Sequence, residues 1–316
     1  MTYYNRYSLY LGKTFGYPVK KVVLDAGFTC PNRDGSVGLN GCIFCNNAAF
    51  THPLAQRDKP LAWQIEQQLA LGHSRNPNAR YLAYFQPYTN TYATPEELAR
   101  VYNRIESYKD IVGLIVATRA DEVDADRLQV LQAMAQKGYY VSVELGVQTF
   151  KDETLMFVNR GHLADAICQA AELVHAHDLV LGGHVILGLP GENEQDWLNT
   201  ARQLSRLRFN TLKIHQLQVF SGTRLERLYH AGQVQLLTAP EYLQALVRFI
   251  EHLSPDIVIS RLFAEAHKDY LVAPKWRADK QKILRTFDLL CKTQSTYQGK
   301  CYQKENDRKP PVRRAC

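Results

Sequence analysis

The stretch FTCPNRDGSVGLNGCIFC, residues 28–45, decides how the rest of the chain is read. It follows the apolar run Val22-Val23-Leu24 and spaces Cys30, Cys42 and Cys45 as C-x11-C-x2-C, three thiols at the end of an expected strand. A closed structural zinc site takes four ligands, whereas an iron-sulfur cluster held by three cysteines keeps one iron open to a small molecule. His52 could complete a Cys3His zinc site, and that alternative stays open on spacing alone. Disulfides fit less well, because an odd number of cysteines without a signal sequence suits a reducing cytosol.

Outward from the loop, further segments recur in order: YFQPYTNTYA at 84–93, ELGVQT at 144–149 and GLPGE at 188–192. Together with FTCPNRDG they resemble the radical S-adenosylmethionine (SAM) superfamily over residues 20–276. The likeness is to its small bacterial branch related to the radical SAM domain of the Elongator catalytic subunit. The resemblance implies that Cys30, Cys42 and Cys45 hold a 4Fe-4S cluster whose open iron is chelated by SAM. Reductive cleavage of SAM to a 5′-deoxyadenosyl radical would follow, with a flavodoxin-type or other electron donor. It also implies SAM contacts at Glu144 and Gln148, and adenine contacts along Ile186, Gly188, Pro190, Gly191 and Glu192. Thr89, Asn90 and Thr91 stand where the superfamily usually has Gly-Gly-Glu.

The chain between the motifs alternates strands and helices, the pattern of parallel βα units. Strands are expected over 20–25, 80–86, 112–118, 139–148, 180–189 and 211–219. The intervening helices show apolar stripes such as Leu61, Ile65 and Leu69, and one start signal is Thr94-Pro95-Glu96-Glu97. Six repeats without a linker predict an α/β fold, a partial (β/α)6 TIM-type barrel with the cluster loop after strand one. A final strand at 257–261 would close or extend it. A doubly wound sheet is the competitor, yet no G-x-G-x-x-G follows strand one.

Strand alternation then selects the residues that face the barrel interior. In strand four Glu144, Gly146 and Gln148 point inward; in strand five His184, Ile186 and Gly188; in strand six Lys213 and His215. A buried carboxylate needs partners, so Glu144 predicts either a ligand or an interior polar network. Lys213 and His215, with Arg119 joining from strand three, would suit an anionic substrate, or Lys213 would pair with Glu144. His184, Lys213 and His215 are the catalytic candidates. Cys168 falls on an apolar helix face and reads as a core residue.

The 316 residues are 46% hydrophobic and carry a net charge of +7. Residues 275–316 hold 12 Lys/Arg against 4 Asp/Glu, and the preceding 274 hold 26 against 27, so the basic character belongs to the C-terminal part. This sets the expected boundaries: a barrel over 1–274 and a basic extension over 275–316. Such an extension suits a polyanion, or is a solvated terminus. With the Elongator resemblance, it favours transfer RNA as substrate, modified at the wobble uridine. A small anionic metabolite is the runner-up, and a non-catalytic zinc-stabilised RNA-binding module is the alternative of another class. No apolar run reaches membrane-spanning length, and the chain is expected in the cytoplasm. Cys291, Cys301 and Cys316 match no tight metal spacing.

Overall fold

In the computed structural model the described residues are 2–276 and 279–303. The elements run α1 (Tyr7–Phe15), β1 (Val19–Leu24), α2 (Pro31–Asp34), α3 (Leu61–Arg75), β2 (Arg80–Phe85), α4 (Pro95–Tyr102), β3 (Ile111–Thr118) and α5 (Ala125–Gln136). They continue through β4 (Tyr140–Gln148), α6 (Asp152–Phe157), α7 (Ala164–Ala176), β5 (Val180–Leu187), α8 (Glu194–Arg206), β6 (Thr211–Gln216) and β7 (Val219–Phe220). The last are α9 (Arg224–His230), α10 (Ala239–Glu251), β8 (Val258–Arg261), β9 (Leu271–Ala273) and α11 (Lys280–Thr293).

Seven strands form one sheet in the order β1-β2-β3-β4-β5-β6-β8, and every neighbouring pair is parallel. The result is the curled half-barrel of an α/β fold. β8 extends the sheet and leaves it open: among the named strands β8 pairs only with β6 and β1 only with β2, while the free side of β8 takes a single parallel bridge from Arg6 to Ile259, with Ile259 N bonding Asn5 O at 2.8 Å. α1, which the hydrophobic pattern did not reveal, lies against both β1 and β8. Its Leu11 packs with Val19, Leu82, Tyr84, Ile115 and Ala117, so a helix fills the space a closed barrel would fill with more strand side chains.

Helix starts follow their local chemistry. Thr94 caps α4 by accepting from the Glu97 amide at 3.3 Å, with Pro95 in the first turn, as the sequence predicts. Reciprocal capping boxes begin α8 (Asn193 with Asp196) and α10 (Thr238 with Glu241). The expected sixth strand divides at Gln216. The buried Gln216 amide bonds Ala264 in both directions, at 2.7 and 3.0 Å, and the chain then leaves the sheet so that β7 pairs antiparallel with β9.

The basic C-terminal part is not a loose arm through residue 303. Ile283, Phe287 and Cys291 line one face of α11 and join the main core, which also contains Cys168. Beyond α11, the Gln298 amide donates to Ser254 and Ile257 carbonyls and accepts from the Asn5 amide. The opposite face of α11 exposes Lys280, Lys282, Arg285 and Lys292. Cys316 and the cations Lys304, Arg308, Lys309, Arg313 and Arg314 lie outside the described residues.

Candidate active site

The cysteine loop leaves the C-terminal end of β1 and is anchored mainly by backbone. Cys30 opens the short turn α2, and Cys45 N donates to Cys42 O at 3.0 Å. The connection after α6 supports the loop from beneath: Ile43 N bonds Val158 O at 3.0 Å, Asn32 Nδ2 bonds Asn159 O at 2.6 Å, and Asn159 Nδ2 bonds Gly41 O at 2.8 Å. Cys42 is buried, and its sulfur accepts from Asn32 Nδ2 and Arg160 Nη1, both at 3.7 Å. Burial and the Cys42 neighbour push the Cys45 thiol up to about 12, while Arg33 and Arg160 pull it down. A ligated metal would reverse that balance in favour of thiolate.

The spacing of the sulfurs separates the two metal readings. A single zinc ion about 2.3 Å from each sulfur keeps all its sulfurs within about 4.6 Å of one another. Among the described residues, Cys30, Cys42 and Cys45 do not form a group gathered within 4.8 Å. His52 is exposed, and its Nδ1 is turned to the Leu54 amide at 3.2 Å. The three sulfurs are thus not drawn together as ligands of one ion, and His52 does not turn toward them as a fourth.

Around this triangle several buried polar atoms have no partner: Asn32 Oδ1, Arg33 Nε, Arg119 Nη1 and Arg160 Nε. Arg119 is fixed by a fork to Asp121, at 2.9 and 2.7 Å, and Arg160 Nη2 by Gly146 O at 2.7 Å. A Cβ on Gly146 would lie 2.7 Å from Arg160 Nη2, so any larger residue at this inward position would require the guanidinium to shift. Three guanidinium groups with spare donors beside three thiols fit a thiolate-bound cluster, and the carboxylate of a bound amino acid, since both are anionic.

Deeper in the barrel the charges are matched. Lys213 Nζ stands 2.5 Å from Glu144 Oε2 and 2.6 Å from the Tyr84 hydroxyl, and lies 4.0 Å above the Tyr84 ring. His184 Nε2 is 2.8 Å from the same carboxylate oxygen, and Lys21 is 3.9 Å from the other. Burial alone would raise the Glu144 carboxyl, but Lys213, Lys21 and His184 outweigh it and hold it well below the usual range. Burial, with Lys213 adding to it, pushes His184 down to about 4, so at neutral pH the imidazole donates Nε2–H to Glu144. His215 stacks on His184 at 5.6 Å, is held well below its ordinary value chiefly by burial, and leaves Nε2 without a partner. Glu144, His184, Lys213 and His215 thus all face inward as strand alternation predicts. Lys213, however, is committed to Glu144 rather than held free for a substrate anion, the second of the two expectations.

At the mouth, Gln148 sits at an irregularity in the β4–β5 pairing with φ of 66°, a turn that re-aims its side chain at the strand end. Ile186 faces inward beside Leu189 and Leu217. Gly188 and Gly191 both have positive φ, and Lys151 Nζ holds the Gly191 carbonyl at 2.7 Å, fixing the Leu189-Pro190-Gly191 turn. Burial pushes the Glu192 carboxyl up to about 7; Oε2 accepts from Trp197 Nε1 at 3.1 Å, and Oε1 is unpartnered. Asn90 and Thr91 turn into the fold. Asn90 Nδ2 bonds the Phe85, Pro87 and Ala117 carbonyls, and Thr91 Oγ1 bonds Thr118 Oγ1 and Glu122 O, each at 2.5 Å. The Thr89 hydroxyl and Asn90 Oδ1 both remain buried and unpartnered, so of these three side chains only Thr91 is fully committed within the fold.

Two contributors had no clear sequence signal. Arg160 comes from the connection after α6, far from any motif. Arg261 ends β8, where a pairing irregularity shifts the register from Leu212↔Ile259 to Lys213↔Arg261 and so gives Arg261 the inward face of Lys213. Arg261 is exposed, and no acidic partner for it is found among the described residues. Asn32 and Arg33 were legible only as neighbours of Cys30.

An open parallel half-barrel with a three-cysteine loop after its first strand is the architecture of radical SAM enzymes. The chain belongs to that superfamily: residues 33–204 match the radical SAM superfamily and residues 209–289 the radical SAM C-terminal domain. Members of the family are enzymes that use a 4Fe-4S cluster and SAM. The chain is 36% identical to protein YhcC of Escherichia coli K12, over 84% of this chain and 85% of that protein. It is 30% identical to a tRNA uridine(34) acetyltransferase of Dehalococcoides mccartyi, over 43% of this chain and 29% of that protein. Archaeal Elp3 from Methanocaldococcus infernus shares the fold, with a TM-score of 0.65 at 16% identity, covering 89% of this chain and 64% of that one. No helix among the described residues is long and apolar enough to cross a membrane.

Proposed function

We propose that Cys30, Cys42 and Cys45 hold the 4Fe-4S cluster and that SAM binds against the C-terminal ends of β4 and β5 to modify the wobble uridine of a transfer RNA. The observation that carries the cofactor part is the three-cysteine loop, not gathered around a single ion and ringed by unpartnered donors of Arg33, Arg119 and Arg160. When bound, the cluster supplies one electron that cleaves SAM to methionine and a 5′-deoxyadenosyl radical able to abstract a substrate hydrogen. The chain's own residues do the positioning. Gln148 and the Thr89 hydroxyl face the polar end of SAM, and Ile186, Gly188, Pro190, Gly191 and Glu192 form the apolar and backbone surface for its adenine. Asn90, Thr91 and Glu144 support these from within the fold. The half-barrel with its α1 plug keeps water from the reacting end. A flavodoxin-type protein or another one-electron donor would supply the electron.

Transfer RNA is favoured by the matched relative named for uridine 34 of tRNA and by the exposed cations Lys282, Arg285 and Lys292, which have no ion pair among the described residues. A small anionic metabolite is the second reading, favoured by the inward, unpaired Arg261.

Anaerobic, iron-reconstituted protein treated with dithionite and SAM should release 5′-deoxyadenosine, and Cys42→Ala should release none. Stoichiometric zinc without iron or product would sink the reading. For the substrate, replacing Lys282, Arg285 and Lys292 with alanine should flatten the salt dependence of tRNA binding by about 0.9 or less per lost phosphate contact. Unchanged slopes would leave the anionic metabolite as the better substrate.

A further inference from the structure

Away from the barrel mouth, the C-terminal end of α10 meets the turn that follows α11. Here Glu251, His252 and Cys301 each bring one ligand-type atom within 4.8 Å of the other two. We propose that these three residues form a second metal site, for a zinc ion, that staples the segment after α11 onto α10. The argument rests first on distance: ligands 2.0 to 2.3 Å from one ion are drawn to within about 4.6 Å of each other, a condition this trio nearly meets and the cysteine loop does not. A thiolate, an imidazole and a carboxylate together are a borderline-soft donor set that suits zinc.

The surroundings of each ligand are those a metal needs. His252 Nδ1 lies 3.0 Å from the Arg248 carbonyl, so that nitrogen carries the proton and Nε2 keeps its lone pair. The Glu251 side chain is buried and doubly oriented, by the Thr296 hydroxyl on Oε1 and by Arg248 Nη1 on Oε2 at 2.7 Å. Each oxygen retains a second lone pair. Arg248 also pairs with Glu194 at 3.0 Å, so Glu251 is not its sole counter-charge. Cys301 is exposed, and its amide donates to Glu251 O at 2.8 Å, which holds the thiol beside the helix end. That end of the 13-residue α10 carries the negative pole of its dipole, which favours a cation. Zinc binding would displace the Cys301 thiol proton to solvent and leave one tetrahedral position for water. The chain so fixed includes Gln298, which ties the N-terminal segment and the loop before β8 together.

The site is separable from the cluster. Full-length, iron-loaded protein would be equilibrated with a zinc salt alone, desalted and analysed for both metals. About one zinc per chain is expected in the wild type, falling roughly tenfold or more in Cys301→Ser and in His252→Ala, with iron unchanged. Cobalt in place of zinc should give a thiolate charge-transfer band that Cys301→Ser abolishes. Equal zinc in all three proteins, or none retained by the wild type, would overturn the proposal. Circular dichroism checks the fold, and should His252→Ala melt early, the exposed Cys301→Ser decides. Failure of the cluster reading would appear in the iron instead.

Discussion

The cysteine loop after β1 and the network around Glu144 on β4 belong to one sheet and treat buried charge in opposite ways. At Glu144, the carboxylate meets Lys213, His184 and Lys21, and the Lys213 ammonium also meets Tyr84. At the loop, Arg33, Arg119 and Arg160 are each fixed by one good contact and still hold a buried nitrogen with no partner. A buried donor without a partner costs about 1 to 3 kcal/mol, more when charged, so a fold that keeps three of them close together is shaped for something that supplies the acceptors. The charges of the Glu144 network are met within the fold, and the unmet donors beside the cysteines support the proposed cofactor site there.

The sharpest way to break that contrast is Glu144→Ala. It leaves the Lys213 ammonium buried and unpaired and should lower stability by about 3 to 5 kcal/mol, read from the urea midpoint. Adding Lys213→Met should restore most of the loss, because removing both charges relieves the uncompensated one. A single-variant loss under about 1 kcal/mol would mean that water already solvates the pair. Arg160→Ala should have a smaller effect of a different kind. Iron retention against a chelator should weaken roughly tenfold to a hundredfold while the melting temperature moves little. Wild-type chelation rates would return Arg160 to the architecture.

The smallest expected effect lies at Glu192, whose folded carboxyl titrates near 7 because of burial. A raised carboxyl contributes stability that is full below its unfolded value, near 4.5, and is lost as pH rises through about 7. Glu192→Gln stays neutral, so its melting temperature should gain on the wild type between pH 5 and pH 8. A constant difference across that window would show that Glu192 is already solvated.

Residues that meet through local geometry are legible in the amino-acid order itself. The spacing of Cys30, Cys42 and Cys45 is local, and so is the two-residue period that turns Glu144, His184, Lys213 and His215 inward; backbone pleating imposes it wherever a strand forms. The caps at Thr94 and Thr238 depend on four consecutive residues. None of these needs knowledge of a neighbour. What Lys213 does with its charge depends on the register of β4, β5 and β6 together, and alternation alone leaves salt bridge and substrate anchor equally open. Arg261 would face outward by counting from Ile259, and only the pairing irregularity beside it brings it in. Arg160 reaches Cys42 across 118 residues of chain, and Cys301 reaches Glu251 from beyond α11. Even the basic extension, which composition marks only as charged, is held to the core by Ile283, Phe287 and Cys291. Sequence determined which residues each element offers and on which face, because that follows from bond geometry. Tertiary structure alone decided which offered groups meet, because register and packing are set by burying one shared core over the whole chain.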